Sequence, residues 1–354
     1  MAPCATLSRE KYDFAGRDQQ SKGHATMNEA VIRAYSVLDG KPLDVELAKT
    51  LGVLSGEDIL DLVSLSNRVR NRFSPGFQAC SILNARSGLC SENCRFCAQS
   101  ASHSTNAQTY PMVSLEKILA AAETTYAAGI RSFCIVASGH GMLEVNSDFN
   151  GVLRAINAIH ERYPDMGVSA SLGVLSEATA RLLAECRIEH YNINLQTAPG
   201  RYRELIADTH TVDERITTIR LLKRHSIQVC SGAILGVGET MDDRIALAFT
   251  LKELQVEVIP LNVLVPIKGT PLEGRMPVPA AEVAKTLALF RLINPGSVIK
   301  LAAGRETVMN DFQGLLMLAG ANGFITGGYL TTRGRDIGRD QAFAGELNAF
   351  ATAT

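Results

Sequence analysis

The feature that most constrains the fold of this 354-residue chain is a regular alternation of short apolar runs with helical patterns. The apolar or β-branched runs occupy residues 78–84, 131–137, 167–172, 189–195, 227–232, 256–264, 297–302 and 323–326. Apolar residues at three- and four-residue spacing predict helices between them, over residues 114–128, 147–162, 176–187, 211–225, 240–254, 279–292 and 308–320. This alternation predicts an α/β fold, a (β/α)₈ TIM-type barrel, whose functional residues lie at the C-terminal ends of the strands.

The chain on either side of this alternation is predicted to form three further parts. Residues 1–26 are polar and lack periodicity, which predicts a disordered tail. Residues 27–74 have helical spacing but no strand pattern, so they are predicted to be an N-terminal helical extension packed on a barrel of residues 75–345. Residues 346–354 are predicted to be a C-terminal tail.

Charge and hydropathy argue against several classes of function. The net charge is −1, so no overall field attracts nucleic acid or an anionic membrane surface. No apolar run approaches the ~20 residues needed to span a bilayer. The N-terminus lacks the apolar segment of a secretory signal. We therefore expect a cytoplasmic protein that binds neither nucleic acid nor membrane.

Three cysteines lie directly after the first predicted strand. Cys90, Cys94 and Cys97 are separated by three and then two residues, so their thiolates can converge on one centre. Such clustering in a cytoplasmic protein indicates metal binding rather than disulfides. Three thiolates suit a 4Fe–4S cluster and leave one iron open for a bidentate ligand. A structural zinc site is the alternative, but zinc usually takes four ligands, and no second cysteine pair follows.

This spacing, C-x₃-C-x₂-C after a first barrel strand, resembles that of radical S-adenosylmethionine (SAM) enzymes. The longer run NARSGLCSENCRFCAQSASHST resembles the biotin synthase family specifically. Further matches follow in the same order, namely FCIVASG, YNINL, VCSGAILGVGET, NVLVPIKGTPLEG, AAGRE and YLTT. The resemblance covers roughly residues 75–345.

The resemblance implies a reaction and its participants. SAM bound to the cluster is cleaved to a 5′-deoxyadenosyl radical, which removes hydrogens from dethiobiotin. An auxiliary iron–sulfur cluster deep in the barrel then supplies the sulfur. The resemblance also implies a reductant protein such as a flavodoxin or ferredoxin, and a homodimeric assembly.

Matched residue by residue, the resemblance implies a SAM site. Asn194 matches a position that contacts the ribose, and Arg215 matches one that contacts the carboxylate. Gln196 stands at the position of the family's ribose-binding acid, where it can hydrogen-bond a diol without charge assistance. Phe96, between the last two cluster cysteines, is placed to lie against a flat ring such as adenine.

The resemblance also implies a substrate site built from amides. Asn192, Asn194 and Asn262 match the asparagines that hold the ureido ring of dethiobiotin. A carboxamide complements both the N–H donors and the carbonyl acceptor of a urea. Structural asparagines hydrogen-bonded within the strands are the alternative.

The expected auxiliary-cluster ligands depart from the family pattern of three cysteines and an arginine. Cys134 and Cys230 match two of the cysteines. The third cysteine position is Ser169, and the arginine position is Lys300. Serine is a poor iron ligand beside thiolate, and a protonated ammonium group has no lone pair to offer.

Cys80 on the first predicted strand is a candidate replacement ligand. Its alternation with Ile82 predicts that it faces the barrel interior. Together with Cys134 and Cys230 it predicts an auxiliary cluster of the 2Fe–2S or the 4Fe type. If Cys80 is instead only a small buried apolar residue, the alternative is a related radical enzyme that acts on another small molecule without sulfur insertion. An iron–sulfur scaffold without turnover is the third interpretation, and the matched SAM positions argue against it.

Overall fold

A computed structural model describes residues 26–331 and 334–351 of the chain. In this part of the chain, eight parallel strands form a closed barrel, and each overlaps the run that predicts it. The barrel strands are β1 (Gln78–Arg86), β2 (Ser132–Ala137), β3 (Gly167–Ser171), β4 (His190–Asn192), β5 (Gln228–Cys230), β6 (Val258–Val263), β7 (Val298–Leu301) and β8 (Gly323–Thr326). The tail predicted over residues 1–26 lies outside the described residues except for its last position.

Closure of the sheet depends on the pairing of the first strand with the last. β1 pairs with β8 in parallel, with Cys80 opposite Ile325, and on its other side with β2, where Ile82 stands opposite Cys134. A short strand, Ala233–Leu235, extends the pairing along β6 at the rim. Because the strands are parallel, their C-terminal ends meet at one mouth and their inward side chains share one lumen.

The helices cover the barrel from outside and at its N-terminal flank. Within the described residues they are α1 (Glu29–Ala34), α2 (Val45–Gly52), α3 (Asp58–Phe73), α4 (Leu115–Ala127), α5 (Ser147–Arg162), α6 (Glu177–Glu185), α7 (Val212–Arg224), α8 (Met241–Glu253), α9 (Ala280–Ile293), α10 (Gln313–Leu318) and α11 (Ile337–Leu347), with one short turn at Tyr202–Leu205. None of these helices is long and apolar enough to cross a membrane.

Two outer helices differ from the sequence-based prediction. α10 is shorter than the predicted helix over residues 308–320, because the chain before it takes a 3₁₀ turn at Asn310–Phe312 and Asn310 has a left-handed φ of 42°. α11 was not predicted, since Gly338 and Gly345 interrupt its apolar spacing. It is held to the barrel by Asp340, whose carboxylate accepts from Thr326 Oγ1 at the end of β8 at 2.7 Å.

The N-terminal extension is fixed to the barrel through a fully buried arginine. Arg291 on α9 donates from Nε to the Gly320 carbonyl at 2.9 Å and from Nη2 to Asn322 Oδ1 at 2.8 Å. Asn322 in turn donates to the Ser74 carbonyl, directly after α3, at 2.9 Å. Burial, together with Arg70, lowers the pKa of Arg291 to about 9, which reflects the cost of placing this charge inside the protein.

We expect Arg291→Leu to lower the free energy of unfolding by about 3 kcal/mol or more, because several buried acceptors lose their donor. Urea denaturation followed by circular dichroism measures this. The control is Arg224→Leu, which removes an exposed ion pair with Glu177 and should cost about 0.5 kcal/mol at most. Equal losses in the two variants would contradict the anchoring role.

Candidate cluster and substrate site

The loop after β1 holds Cys90, Cys94 and Cys97, all half-buried, at the barrel mouth. Backbone hydrogen bonds within the loop hold its shape, and in one of them the Cys97 N–H donates to the Cys94 carbonyl at 2.9 Å. The turn into it requires Gly88, where φ is 76° and an added Cβ would lie 2.3 Å from Thr109 Oγ1. These constraints bring the three thiols to one side of the mouth.

The three thiols lie close enough to affect one another's ionisation. Burial and then the neighbouring Cys97 raise the pKa of Cys94 to about 12, while the Arg215 guanidinium opposes this shift. Burial also raises the pKa of Cys97, and Cys90 contributes further. Thiols crowded in this way become thiolates when a cationic metal centre compensates their charge. The set therefore fits a 4Fe–4S cluster with three protein ligands.

The zinc alternative would need a fourth ligand beside these thiols. Several imidazoles contact the loop, since His103 Nε2 lies 3.1 Å from the Cys94 carbonyl oxygen and His140 Nδ1 lies 3.4 Å from Glu92 Oε1. The imidazole that approaches a thiol is His210, whose Nε2 lies 3.9 Å from Cys94 Sγ. Both of its nitrogens are engaged, because Nδ1 lies 2.7 Å from Glu92 Oε2 and Nε2 lies 3.0 Å from Arg215 Nη2. A cation on His210 Nε2 would lie beside the Arg215 guanidinium, and the two positive charges would repel each other. The geometry therefore disfavours zinc.

A cavity of about 350 Å³ extends from the cysteine loop into the barrel. This volume is in the range of small-molecule sites. Residues from both predicted sites line it together, namely Cys90, Cys94, Phe96, Cys97, Cys134, Asn192, Asn194, Gln196, Arg215 and Asn262. The cluster cysteines and one lumen thiol therefore open into the same space.

The wall of this cavity around Gln196 and Arg215 carries buried polar atoms that lack a partner among the described residues. They are Gln196 Oε1 and Arg215 Nε. Gln196 also has a left-handed φ of 69°, which a non-glycine residue rarely adopts. Leaving such groups unpaired costs about 1–3 kcal/mol each. An acceptor and a donor of this kind fit a ligand that offers hydroxyl and carboxylate groups, as SAM does.

The neighbouring amides are partly engaged by the protein. Asn194 Oδ1 accepts from the Gly232 N–H at 2.9 Å. Asn262 bridges two backbone segments, since its Nδ2 donates to the Ala233 carbonyl at 3.0 Å and its Oδ1 accepts from the Ala303 N–H at 3.1 Å. These hydrogen bonds hold each side chain in place. Because an amide has two donor hydrogens and two acceptor lone pairs, each side chain also keeps donors or acceptors for a ligand.

Cys80, Cys134 and Cys230 are buried in the lumen below these amides. Asn192 connects the amides to these thiols, because its Nδ2 donates to Cys230 Sγ at 3.1 Å. Burial raises the pKa of both Cys134 and Cys230 to about 12, and the nearby Cys80 contributes to each shift. The inward orientation that alternation predicts for Cys80 agrees with this placement.

The two departures from the family pattern, Ser169 and Lys300, lie among these lumen thiols. Ser169 is fully buried, its hydroxyl donates to the Phe133 carbonyl at 3.4 Å, and its proximity opposes the rise in the pKa of Cys134. Burial disfavours the charge of Lys300, but the neighbouring Cys80 and Cys230 raise the pKa of its ammonium group above the ordinary value. Lys300 is 2% exposed, so the ionisable groups that act on its charge are Cys80, Cys230 and Glu189 rather than solvent. Lys300 therefore places a positive charge beside the lumen thiols.

Sequence reasoning missed a polar network behind Cys94. Glu92, His140 and His210 offer ligand-type atoms that all lie within 4.8 Å of one another. Burial, and then Arg215, lower the pKa of His210. Glu92 lies inside the cysteine motif, which was the available signal, whereas the histidines have no telling spacing.

Comparisons with known proteins agree with this geometry. The family model "Radical SAM superfamily" matches residues 86–251, and the model "Biotin and Thiamin Synthesis associated domain" matches residues 260–349. Among solved structures, methylornithine synthase superposes with a TM-score of 0.78 at 20% identity, covering 91% of this chain and 97% of that chain. A maturase of the [FeFe]-hydrogenase gives a TM-score of 0.72 at 16% identity, covering 84% and 68%. At these identities the likeness concerns the fold.

Relatives in sequence are closer than these structures. A biotin synthase of Chlorobium phaeobacteroides is 53% identical over 92% of this chain and 97% of its own length. A biotin synthase of Chlorobaculum parvum is 56% identical over 90% and 97%. Such identity over nearly the whole length, with the cysteine motif at the mouth of a closed barrel, assigns the family. The chain belongs to the biotin synthase family of radical SAM enzymes.

Proposed function

We propose that this enzyme binds SAM on a 4Fe–4S cluster held by Cys90, Cys94 and Cys97, and that it inserts sulfur from a second cluster into dethiobiotin. The main support for this proposal is one continuous cavity below the mouth. It leads from the cluster cysteines past an amide-bearing wall toward buried thiols in the lumen. A substrate between the two groups would have a radical source above it and a sulfur source below it.

The proposed SAM site uses the unsatisfied groups of the wall. When bound, the cluster supplies the electron that cleaves the sulfonium bond of SAM. Arg215 would bind the SAM carboxylate, with its unpartnered Nε available as a donor. Asn194 and Gln196 would hold the ribose hydroxyls, and Phe96 would cover the adenine. Together these residues would hold SAM in one orientation within the cavity.

The proposed dethiobiotin site lies deeper in the same cavity. Asn192, Asn194 and Asn262 would bind the ureido ring through their remaining donors and acceptors. Their existing bonds to backbone and to Cys230 fix their orientations before the substrate arrives. This rigidity would hold the carbons to be oxidised near the lumen thiols. The biotin synthases among the relatives support dethiobiotin as the substrate.

The proposed auxiliary cluster is of the 4Fe type and is bound by Cys80, Cys134 and Cys230. Three buried thiols that influence one another's ionisation support it. The Lys300 ammonium would offset the negative charge of the thiolates, and Ser169, whose hydroxyl donates to the Phe133 carbonyl at 3.4 Å, would not ligate iron. In this arrangement Cys80 replaces the thiolate that the family usually carries at the Ser169 position.

Three further proposals follow from the family resemblance. Reductive cleavage of SAM needs a one-electron donor, for which we propose a flavodoxin or a ferredoxin. We also propose a homodimer and a cytoplasmic location.

We expect anaerobically reconstituted enzyme to hold about eight iron atoms per chain if both clusters are of the 4Fe type. Cys80→Ala should reduce this to about four, because two thiolates and a lysine hold a cluster poorly. Iron and sulfide analysis with Mössbauer spectroscopy measures the change. The control is Cys186→Ala at the end of α6, outside the lumen, which should keep the full content. About four iron atoms in the unmodified enzyme, unchanged in Cys80→Ala, would refute the second cluster.

We expect dethiobiotin to accelerate 5′-deoxyadenosine formation by the reduced enzyme. Asn192→Ala should raise the dethiobiotin concentration for half-maximal acceleration about tenfold, because one hydrogen bond to the urea is lost. The control is Asn157→Ala on the exposed side of α5. The absence of acceleration in the unmodified enzyme would contradict dethiobiotin as the substrate.

A further inference from the structure

The polar network behind Cys94 connects the cysteine loop to Arg215. Glu92 lies between Cys90 and Cys94 in the sequence, and its side chain is 10% exposed. Its Oε2 accepts from Thr209 Oγ1 at 2.6 Å and lies 2.7 Å from His210 Nδ1. Through this carboxylate, the loop that carries the cysteines contacts the segment before α7.

The chemistry of the neighbouring groups fixes the protonation of the His210 ring. A guanidinium group can only donate, so His210 Nε2 must accept from Arg215 Nη2 at 3.0 Å. A neutral ring then carries its proton on Nδ1, from which it donates to Glu92. The Tyr202 hydroxyl lies 2.8 Å from Nε2, so the single lone pair of this nitrogen is shared between Arg215 and Tyr202. The ring is therefore oriented on both sides.

Arg215 is anchored at two of its three nitrogens. Nη1 donates to the Asn194 carbonyl at 3.0 Å, and Nη2 donates to His210. The third, Nε, is buried and has no partner among the described residues. Two anchors fix the plane of the guanidinium group and leave Nε for a ligand. The plane of Arg215 therefore depends on the position of His210, and through it on Glu92.

We propose that Glu92 and His210 are positioning residues that hold Arg215 at a fixed place relative to the cluster cysteines. This inference rests on the proposed function, in which Arg215 binds the SAM carboxylate. A SAM molecule on the open iron must reach Arg215 at the same time, so the distance between the iron and Arg215 decides the affinity for SAM. Glu92 belongs to the cysteine loop and, through His210, links this loop to Arg215.

A metal ion is a poorer explanation of this cluster. Glu92, His140 and His210 are close enough together to bind a cation. However, the Arg215 guanidinium lies 3.0 Å from His210 Nε2 and would repel a cation on this nitrogen. His210 Nδ1 is directed at Glu92, and a ring proton there leaves no lone pair for a metal.

The test compares SAM affinity in cluster-loaded, full-length variants under anaerobic conditions. We expect His210→Ala and Glu92→Gln each to raise the dissociation constant of SAM about tenfold, because Arg215 loses its oriented partner. The SAM-dependent change in the electron paramagnetic resonance signal of the reduced cluster should shift to the same higher SAM concentration. The matched control is His225→Ala, which breaks a histidine–carboxylate pair with Glu177 at the outer end of α7.

A double variant tests whether the effect passes through Arg215. Arg215→Ala alone should weaken SAM binding, and adding His210→Ala should then cost little more. A full additional loss in the double variant would overturn the positioning role. Unchanged affinity in His210→Ala and Glu92→Gln beside a weakened Arg215→Ala would overturn this inference and leave the proposed SAM site intact.

Two other outcomes are equally decisive. Unchanged affinity in Arg215→Ala would overturn both the proposed SAM contact and this inference. If both His210→Ala and Glu92→Gln lose iron, the pair holds the cysteine loop rather than Arg215, and the positioning role is overturned. Glu92→Gln keeps the side-chain volume, so it serves as the informative variant if only His210→Ala loses iron.

Discussion

The hydrogen bonds between β1 and β8 are the constraint on which the rest of this structure depends. They close a parallel sheet, and a closed parallel sheet has one mouth where the C-terminal ends of its strands meet. The cysteine loop, the asparagines and Arg215 come from distant parts of the chain and meet only there. Closure also gives the strands a common interior, in which Cys80, Cys134 and Lys300 become neighbours.

The two groups of thiols occupy different electrostatic surroundings. The mouth cysteines are half-buried, with Arg215 near Cys94, whereas the lumen cysteines are buried beside the Lys300 ammonium. In the proposed function the first group holds a cluster that meets SAM at the mouth. The second holds a cluster that gives up sulfur where water is excluded. In that proposal, Lys300 would place a positive charge at the position of the arginine in the family pattern, and Cys80 would restore the number of thiolates.

Much of this architecture could be predicted from the sequence because it rests on local pattern. Apolar runs and helical spacing predict the barrel, and the spacing of Cys90, Cys94 and Cys97 predicts a shared centre. Alternation along β1 also indicates that Cys80 faces the lumen. α11 escaped prediction because its two glycines obscure the apolar face. The length of α10 was overestimated because propensity does not reveal a 3₁₀ turn.

The polar network could not be predicted, because its contacts join residues far apart in sequence. Glu92 and His210 are 118 positions apart and meet only because the loops after β1 and β4 share the mouth. The engagement of Asn262 by backbone on two sides is likewise a product of tertiary structure. Residue type suggested a ligand for Asn262, whereas geometry decides which of its donors and acceptors remain free.

The central claim is that one cavity lies between two iron–sulfur centres. Anomalous diffraction at the iron edge from anaerobic crystals grown with SAM and dethiobiotin tests it most directly. We expect iron at Cys90, Cys94 and Cys97, a second iron centre among Cys80, Cys134 and Cys230, and dethiobiotin between them against Asn192. Iron at the mouth alone, with the lumen thiols free, would contradict this account.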